Sequence, residues 1–538
     1  MDYDYIIVGA GAAGCVLANR LTEDPDTTVL VVEAGGRDLH PFVHMPLTWR
    51  QIWRGPLYNW MFQSEPEPYM DGRRLAVPRG KVLGGSSTIN GMLYIRGNPR
   101  DYDTWRQLGN RGWSYAELLP YFRRSENNWR GDGTYHGAGG PLQVTPVDTR
   151  HYSYEPIREA AVSAGIPLTD DFAANPEGFN RLDVTVGGGR RSSAARAYLR
   201  PARDRNNLYV IINALTHRVA VEKGRAIGIE YVKDDQLIFA RARREVILSG
   251  GAYNSPQLLL LSGIGPADEI KAHGIAPVHD LPGVGKKLAE HPMVSIGYEA
   301  DLDSSFVDQL RFDRLAREFV RYAATRTGNF ANQVISANAF VKTRPELDTP
   351  NMQLFFGPVK HDAQIWMPGF RKRVAHGFGG TACLLRPESR GQVTLRSAKP
   401  GDPPRIQFNI FEAKADRDAI RAGVRRLREV FASEPLGGKI IREAYPGSEI
   451  ATDAQLDAYI RQRTEVGHHP VATCAMGTNG DSVVDPELRV RGLDGLRVVD
   501  ASVMPLVPSG NTYAPTIMVA EKAADMIRGR APLPPAEL

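Results

Sequence analysis

Tyr5-Ile6-Ile7-Val8-Gly9-Ala10-Gly11-Ala12-Ala13-Gly14 opens this chain and decides its fold. The apolar run reads as a strand, the glycines as a tight turn, and residues 12–21, rich in small side chains, as a helix. Gly9 permits the turn, Gly11 lets the backbone approach a pyrophosphate, and Gly14 lets the helix pack on the strand, so that the helix N-terminus is aimed at phosphate. A second strand over residues 28–32 ends at Glu33, 19 positions beyond Gly14, where a carboxylate can accept from both ribose hydroxyls. Ala12, Ala13 and Ala34 belong to the same cradle. The pattern predicts a bound dinucleotide with an unphosphorylated ribose, FAD or NAD rather than NADP, and does not choose between those two.

Outward from this unit, 538 residues exceed what one hydrophobic core organises, so two domains or more are expected. An apolar content of 42% and a charged content of 24% are ordinary for a soluble globular chain. The net charge of +5 is mild, and the basic runs Arg241-Ala242-Arg243-Arg244 and Arg371-Lys372-Arg373 are short. They read as solvated faces, and no nucleic-acid partner is expected. Cys15, Cys383 and Cys474 have no spacing for a disulfide framework or a zinc site, which fits a reducing compartment. The first strand starts directly after Met1-Asp2, with no room for a secretory signal, and no apolar run reaches the roughly 18 residues of a membrane span. A cytoplasmic, soluble protein is expected, and peripheral membrane association stays open.

After the turn Ala34-Gly35-Gly36, a segment with Trp49, Trp53, Tyr58, Trp60, Phe62 and Tyr69 runs to Pro78 without a sustained period. It is either a cover over a cofactor or an irregular surface packed by its own aromatics. Next comes Pro78-Arg79-Gly80-Lys81-Val82-Leu83-Gly84-Gly85-Ser86-Ser87-Thr88-Ile89-Asn90-Gly91-Met92-Leu93. Glycine pairs followed by hydroxyl residues and Asn90 make a concave set of donors suited to phosphates or to the polar edge of a flavin. This stretch resembles the first signature of the glucose-methanol-choline (GMC) oxidoreductases, flavoproteins that take a hydride from an alcohol onto FAD.

The resemblance covers nearly the whole chain. Residues 207–232 read as two strands, and the family would place the Val219 backbone near the adenine. Residues 245–266, with Gly250 and Ala252, are similar to the second signature; from the residues alone this is a buried strand, a glycine turn and a helix opened by Ser255 as N-cap and Pro256 as first residue. Lys287 and Glu290 stand where many relatives have Asn and Asp. Between 297 and 455 the resemblance thins; residues 334–342, 351–356 and 391–396 read as strands of one antiparallel sheet, and 415–431 as a helix with a basic outer face. The expected architecture is α/β: a discontinuous Rossmann-like FAD-binding domain (1–150, 200–296 and 456–538) and an α+β substrate domain with an antiparallel sheet (151–199 and 297–455).

Near the C-terminus stand Gly467-His468-His469-Pro470, a strand ending at Asp500-Ala501, and Gly510-Asn511-Thr512-Tyr513-Ala514-Pro515-Thr516. Hydride leaves an alcohol carbon readily only as the hydroxyl proton is removed, so the site needs a base and a donor to the developing alkoxide. Histidine suits the first role. The resemblance makes His469 the base, with His468 a weaker candidate where relatives carry an aromatic; it sets Asp500-Ala501 beside the diphosphate and the backbones of Asn511 and Thr512 at the flavin pyrimidine ring. A closing helix, residues 516–527, would point its N-terminus at the flavin. Tyr513 occupies the place of a second His or an Asn: either its hydroxyl serves the alkoxide, or the ring only fills space or stacks on an aromatic substrate, with a changed backbone path even able to turn it out of the site. Ile89 replaces the histidine that carries covalent flavin in some relatives, so noncovalent FAD is expected.

The resulting expectation is an FAD-dependent oxidoreductase acting on a primary alcohol, with oxygen or an organic or quinone acceptor as the second partner. Choline is disfavoured as substrate because Ser336 stands where several relatives carry a carboxylate. A hydroxynitrile-lyase-like enzyme of this fold and an NAD-binding protein are the alternatives, and neither the particular alcohol nor the oligomeric state is read from the chain.

Overall fold

In the computed structural model, which describes residues 2–150, 153–302, 305–361 and 363–538, two seven-stranded sheets divide most of the chain between them. The first runs Leu208–Ile211, Val29–Val32, Asp2–Val8, Gln236–Leu248, Arg225–Lys233 and Leu215–Glu222, with Leu496–Val498 also paired to Gln236–Leu248. Asp2–Val8 is central and parallel to both neighbours, Ile6 standing opposite Leu30 on one side and Val246 on the other. Buried on both faces, such a strand reads as an unbroken apolar run rather than an alternating one. Helix Ala12–Leu21 follows the glycine turn, and the last helix, Tyr513–Ile527, is fastened to it by Arg20, whose Nη2 donates to the fully buried Glu521 at 2.8 Å.

The second sheet is antiparallel throughout, in the order Ile440–Tyr445, Pro292–Ala300, Gly377–Leu384, Met352–Gly357, Ala337–Val341 and Gly178–Arg181, with Glu465–Val466 on Pro292–Ala300. Helix Lys414–Ala432 covers it, and Phe431 stacks on Phe378 with ring centroids 5.0 Å apart. The helix comes this close because the strand beneath offers Gly380, where a Cβ would stand 2.8 Å from Leu427.

Several local expectations change. Gln392–Thr394 leaves the large sheet and pairs only with Arg405–Gln407. Residues 207–232 hold three strands, because the chain turns at Asn213 (φ 53) between Leu208–Ile211 and Leu215–Glu222. Pro292–Ala300 runs through residue 296 without a break, so the expected division there falls inside a strand. The helix of the second signature begins at Gly251, not at Pro256. Pro256 therefore lies inside it and withholds the amide that would bond the Ala252 carbonyl; Thr473 Oγ1 donates to that carbonyl instead, at 2.7 Å. The aromatic segment after Gly36 folds into short helices Pro41–His44 and Trp49–Arg54 and a ribbon of Phe62–Gln63 with Ala76–Val77, and its Trp49, Trp53 and Trp60 roof the cavity described next. All three cysteines are buried and free.

Candidate active site

The two glycine-rich signatures pack against each other. Gly9 has φ +102, and a Cβ on it would stand 2.6 Å from the Ser249 carbonyl oxygen. A Cβ on Gly14 would meet the Gly9 oxygen at 1.9 Å, and one on Gly85 would meet Gly11 Cα at 2.8 Å. Gly84 N donates to Ala10 O at 2.7 Å, joining the second turn to the first. Gly11 differs, since its Cβ would meet only Ser249 O, at 3.7 Å. Gly9, Gly14 and Gly85 are small so that the protein can close on itself; Gly11 is small although the protein leaves it room.

Glu33 is buried, with Ala10 N donating to Oε2 and Gly35 N to Oε1, each at 2.8 Å. Burial pushes its carboxyl up to about 7, against these two amides. Each oxygen keeps a second acceptor site, as a ribose contact requires.

From Glu33 a single cavity of about 1530 Å³ reaches to the histidines. Gly9, Gly11, Ala12, Ala13, Glu33, Ala34, Arg79, Gly85, Ser86, Asn90, Gly91, Met92, Leu93, Gly250, Ala252, Asp500, Ala501, Asn511, Thr512, Tyr513, His468 and His469 all line it. Gly14, Val82, Gly84 and Val219 stand behind the wall. Val219 N donates to Ser262 Oγ at 2.8 Å, and Ala214, Leu215 and Thr216 form the lining at that end. Asp500 acts mainly as a staple: its Oδ2 accepts from Gly251 N (2.8 Å) and Ser255 Oγ (2.6 Å), and its Oδ1 from Ser502 N (2.8 Å), tying the second-signature helix to the C-terminal turn.

His469 sits on a short, strained turn; His468 before it has φ 63. The amides of His469 and His291 both donate to Glu290 Oε1, at 2.7 and 2.8 Å, so one buried carboxylate sets the backbone of both residues. The side chains form a directional chain. His291 Nε2 lies 3.1 Å from the Leu385 carbonyl, which can only accept, so that nitrogen carries the proton. His291 Nδ1 is then bare and accepts from His469 Nδ1 at 3.0 Å. His469 Nε2 is left unprotonated, with Asn511 Nδ2 donating to it at 2.9 Å. Burial, then His291, His468 and Arg79, hold the His469 imidazole well below its ordinary pKa, and burial lowers His291 to about 4. The result is a neutral imidazole on the cavity wall whose Nε2 lone pair is met by the Asn511 amide.

Tyr513 is not part of this chain. It opens the last helix, and its hydroxyl donates to the Ser192 carbonyl at 3.2 Å, away from His469. The side chain beside the imidazole is instead that of Asn511, which the sequence credits only with its backbone; its signal there is an amide 42 residues after His469. His291 and Glu290 are likewise site residues that the sequence reading misses, although they precede Pro292 in a short polar run whose Glu290 departs from the family pattern. His468 Nδ1 is buried with no partner, and its ring meets Trp53 edge-on at 5.1 Å. Tyr513→Phe should leave the rate of flavin reduction unchanged and lower stability by about 1 kcal/mol, the net worth of one hydrogen bond; stopped-flow reduction and a melting curve check both.

Ser336 stands apart from the cavity. It is fully buried, with its hydroxyl toward Phe356 O, and does not line the cavity. Leu310, Phe330, Val334, Ile335 and Phe355 do line it, with Arg50, Lys360 and Glu465 among its charged members.

The N-terminal and C-terminal models of the GMC oxidoreductases match residues 3–293 and 387–520. The chain belongs to the GMC oxidoreductase family. An oxygen-dependent choline dehydrogenase of Pseudomonas fluorescens (strain SBW25) is 45% identical over 99% of this chain and 95% of its own, and a namesake from Stenotrophomonas maltophilia (strain K279a) is 45% identical over 99% and 96%. Among solved structures, pyridoxine 4-oxidase from "Mesorbium loti" superposes with a TM-score of 0.87 at 29% identity, covering 98% of this chain and 100% of that one.

With the family come its FAD cofactor and its action on CH–OH groups. The residues present fit FAD. The glycine cradle, Glu33 and the N-terminus of the last helix at Thr512 share one cavity with His469. Arg79 Nε and Nη2 and Asn511 Oδ1 are buried there without partners, donors and an acceptor waiting for a polar group. Among the described residues no cluster of His, Cys, Asp and Glu could hold a metal ion.

Proposed function

We propose that this enzyme oxidises a primary alcohol to its aldehyde, with His469 Nε2 as the proton acceptor and FAD held without a covalent bond. The observation that carries the reading is the chain from Leu385 O through His291 to His469, which leaves Nε2 unprotonated and accepting only from Asn511 Nδ2. FAD, when bound, supplies the hydride acceptor. An alcohol entering the cavity presents its hydroxyl to Nε2 in place of Asn511 Nδ2. The proton passes to Nε2 while the Nδ1 proton stays on its bond to His291, and Asn511, released from the imidazole, donates to the alkoxide oxygen. Thr512 and the first turn of the last helix add positive potential where negative charge gathers. Glu290 holds the two histidine backbones in register throughout.

A neutral alcohol with an apolar body is favoured over a quaternary ammonium because branched side chains of the wall bind hydrocarbon and Arg50 lies over Trp49 at 5.8 Å, taking a ring face that an ammonium would use. Ile89 lines the cavity and offers no nucleophile for a flavin bond.

The test is anaerobic reduction of the purified flavoprotein by benzyl alcohol, a series of primary alkanols and choline. Bleaching by the first two with higher kcat/KM than choline supports the reading; bleaching by choline alone sinks the substrate class, and bands that no alcohol bleaches indicate a lyase-like site. Acid precipitation should leave intact FAD in the supernatant, and yellow pellets would refute noncovalent binding. Because the imidazole must be neutral to accept the proton and its pKa is depressed, the rate of reduction should stay flat as pH falls through 6.5. A loss of rate centred at 6.5 would mean that the base is an ordinary, exposed histidine.

A further inference from the structure

Helix Phe312–Thr325 has two apolar stripes. Leu315 and Tyr322 are buried against the protein, while Phe312, Ala316, Phe319, Val320 and Ala323, also at helical spacing, form a second stripe in water. Phe312 is 56% exposed and Val320 67%. A neighbouring loop extends this stripe. Phe312 N donates to Trp366 O at 2.9 Å, and Trp366 Nε1 to Val307 O at 2.8 Å, pinning to the helix start a loop that carries exposed Ile365, Met367 and Phe370, the last 85% exposed. A contiguous patch of this kind marks a surface that meets something other than water. It is also the outer lip of the active-site cavity, since Phe312, Ala316, Phe319, Val320 and Ile365 line that cavity too.

The flanks are cationic. Arg314, Arg317 and Arg321 run along the adjoining edge of the helix, and Arg371-Lys372-Arg373 follow Phe370. The nearby acids are taken: Asp308 pairs with Arg373, Asp313 with Arg311 and Glu318 with Arg321. Arg314, Arg317, Arg371 and Lys372 have no carboxylate partner among the described residues.

We propose that this lip and its basic flanks dock the enzyme on a bilayer surface carrying anionic phospholipid, with the mouth of the active-site cavity against the lipid. An apolar helical stripe bordered by arginines is the pattern of an interfacial helix: the stripe enters the acyl boundary and the cations meet the headgroups. A second copy of this chain is the poorer partner, because a two-fold contact would bring the same uncompensated cations face to face. Among the described residues no helix is long and apolar enough to cross a membrane, so the attachment is peripheral. Lipid-soluble molecules then reach the cavity without crossing water.

Sedimentation of the holoenzyme with vesicles tests this. With phosphatidylcholine vesicles containing phosphatidylglycerol the protein should pellet, far more than with phosphatidylcholine alone, and added salt should release it. Met367→Ser with Phe370→Ser should weaken partitioning by about 10–100-fold, from the lost burial of large apolar side chains. Arg371→Glu with Lys372→Glu should weaken it by about 30-fold or more, from two lost cations near the headgroups. None of these four residues lines the cavity, so turnover with a soluble acceptor should stay at the wild-type value in both variants. Failure of the wild type to pellet, or equal pelleting of wild type and variants, overturns the proposal. So does a lipid-free dimer that the same substitutions split, which would assign the lip to a second copy.

Discussion

His469→Ala should slow reduction of the flavin by alcohol by about 10²–10⁴-fold, the range that general-base catalysis usually covers, while FAD stays bound. The size of the effect follows from what the substitution removes. His469 Nε2 is the nitrogen that the His291 chain leaves unprotonated, held by Asn511 Nδ2 until an alcohol takes its place, and the His469→Ala variant keeps the backbone amide that Glu290 holds. Asn511→Ala removes the donor and keeps the base, so its loss should be that of one oxyanion donor, about 10²–10³-fold. The two variants separate in their pH response. Asn511→Ala retains a neutral imidazole and the flat acid limb, whereas His469→Ala leaves proton removal to hydroxide, and its rate should climb with pH. A His469→Ala enzyme reduced at the wild-type rate would take this histidine out of the mechanism.

Gly11→Val should give a folded protein almost free of flavin. A Cβ at this position meets protein only at 3.7 Å, so the side chain grows into the cradle without disturbing the fold and occupies the space the pyrophosphate needs. Gly14→Val makes the contrast, because its Cβ would overlap the Gly9 oxygen at 1.9 Å, so the helix cannot sit on the turn and the protein should be insoluble. Absorbance of acid-released FAD per mole of protein, read with a thermal unfolding curve, distinguishes a protein that cannot bind from one that cannot fold. A Gly11→Val protein that purifies yellow, with full FAD content, would remove the first turn from the cofactor site.

What the chain determined by itself was everything governed by short-range rules. A buried parallel strand must be apolar on both faces, a tight turn at φ +102 favours glycine, and a helix start facing phosphate must carry no bulk; Ile6, Gly9 and Gly11 satisfy these within a few residues of one another, which is why the α/β unit and a dinucleotide site were legible before any tertiary contact, while FAD and the family came from the resemblance that begins at residues 78–93. His469 was legible only through the family resemblance. Tertiary structure alone decided the company His469 keeps. His291 lies 178 residues away and Leu385 contributes only a carbonyl, so neither the tautomer nor the direction of the lone pair leaves a mark in the sequence. Tyr513 and Asn511 are two residues apart and both polar; the helix starting at Tyr513 sends the phenol to Ser192 and leaves the amide with the imidazole, a choice made by backbone direction rather than by side-chain chemistry. The exposed stripe on Phe312–Thr325 is the same case. The sequence reading does not mark this helix, and only packing shows that Leu315 and Tyr322 were the ones buried and that Phe319 and Val320 were left in water, because burial depends on what the rest of the fold brings alongside.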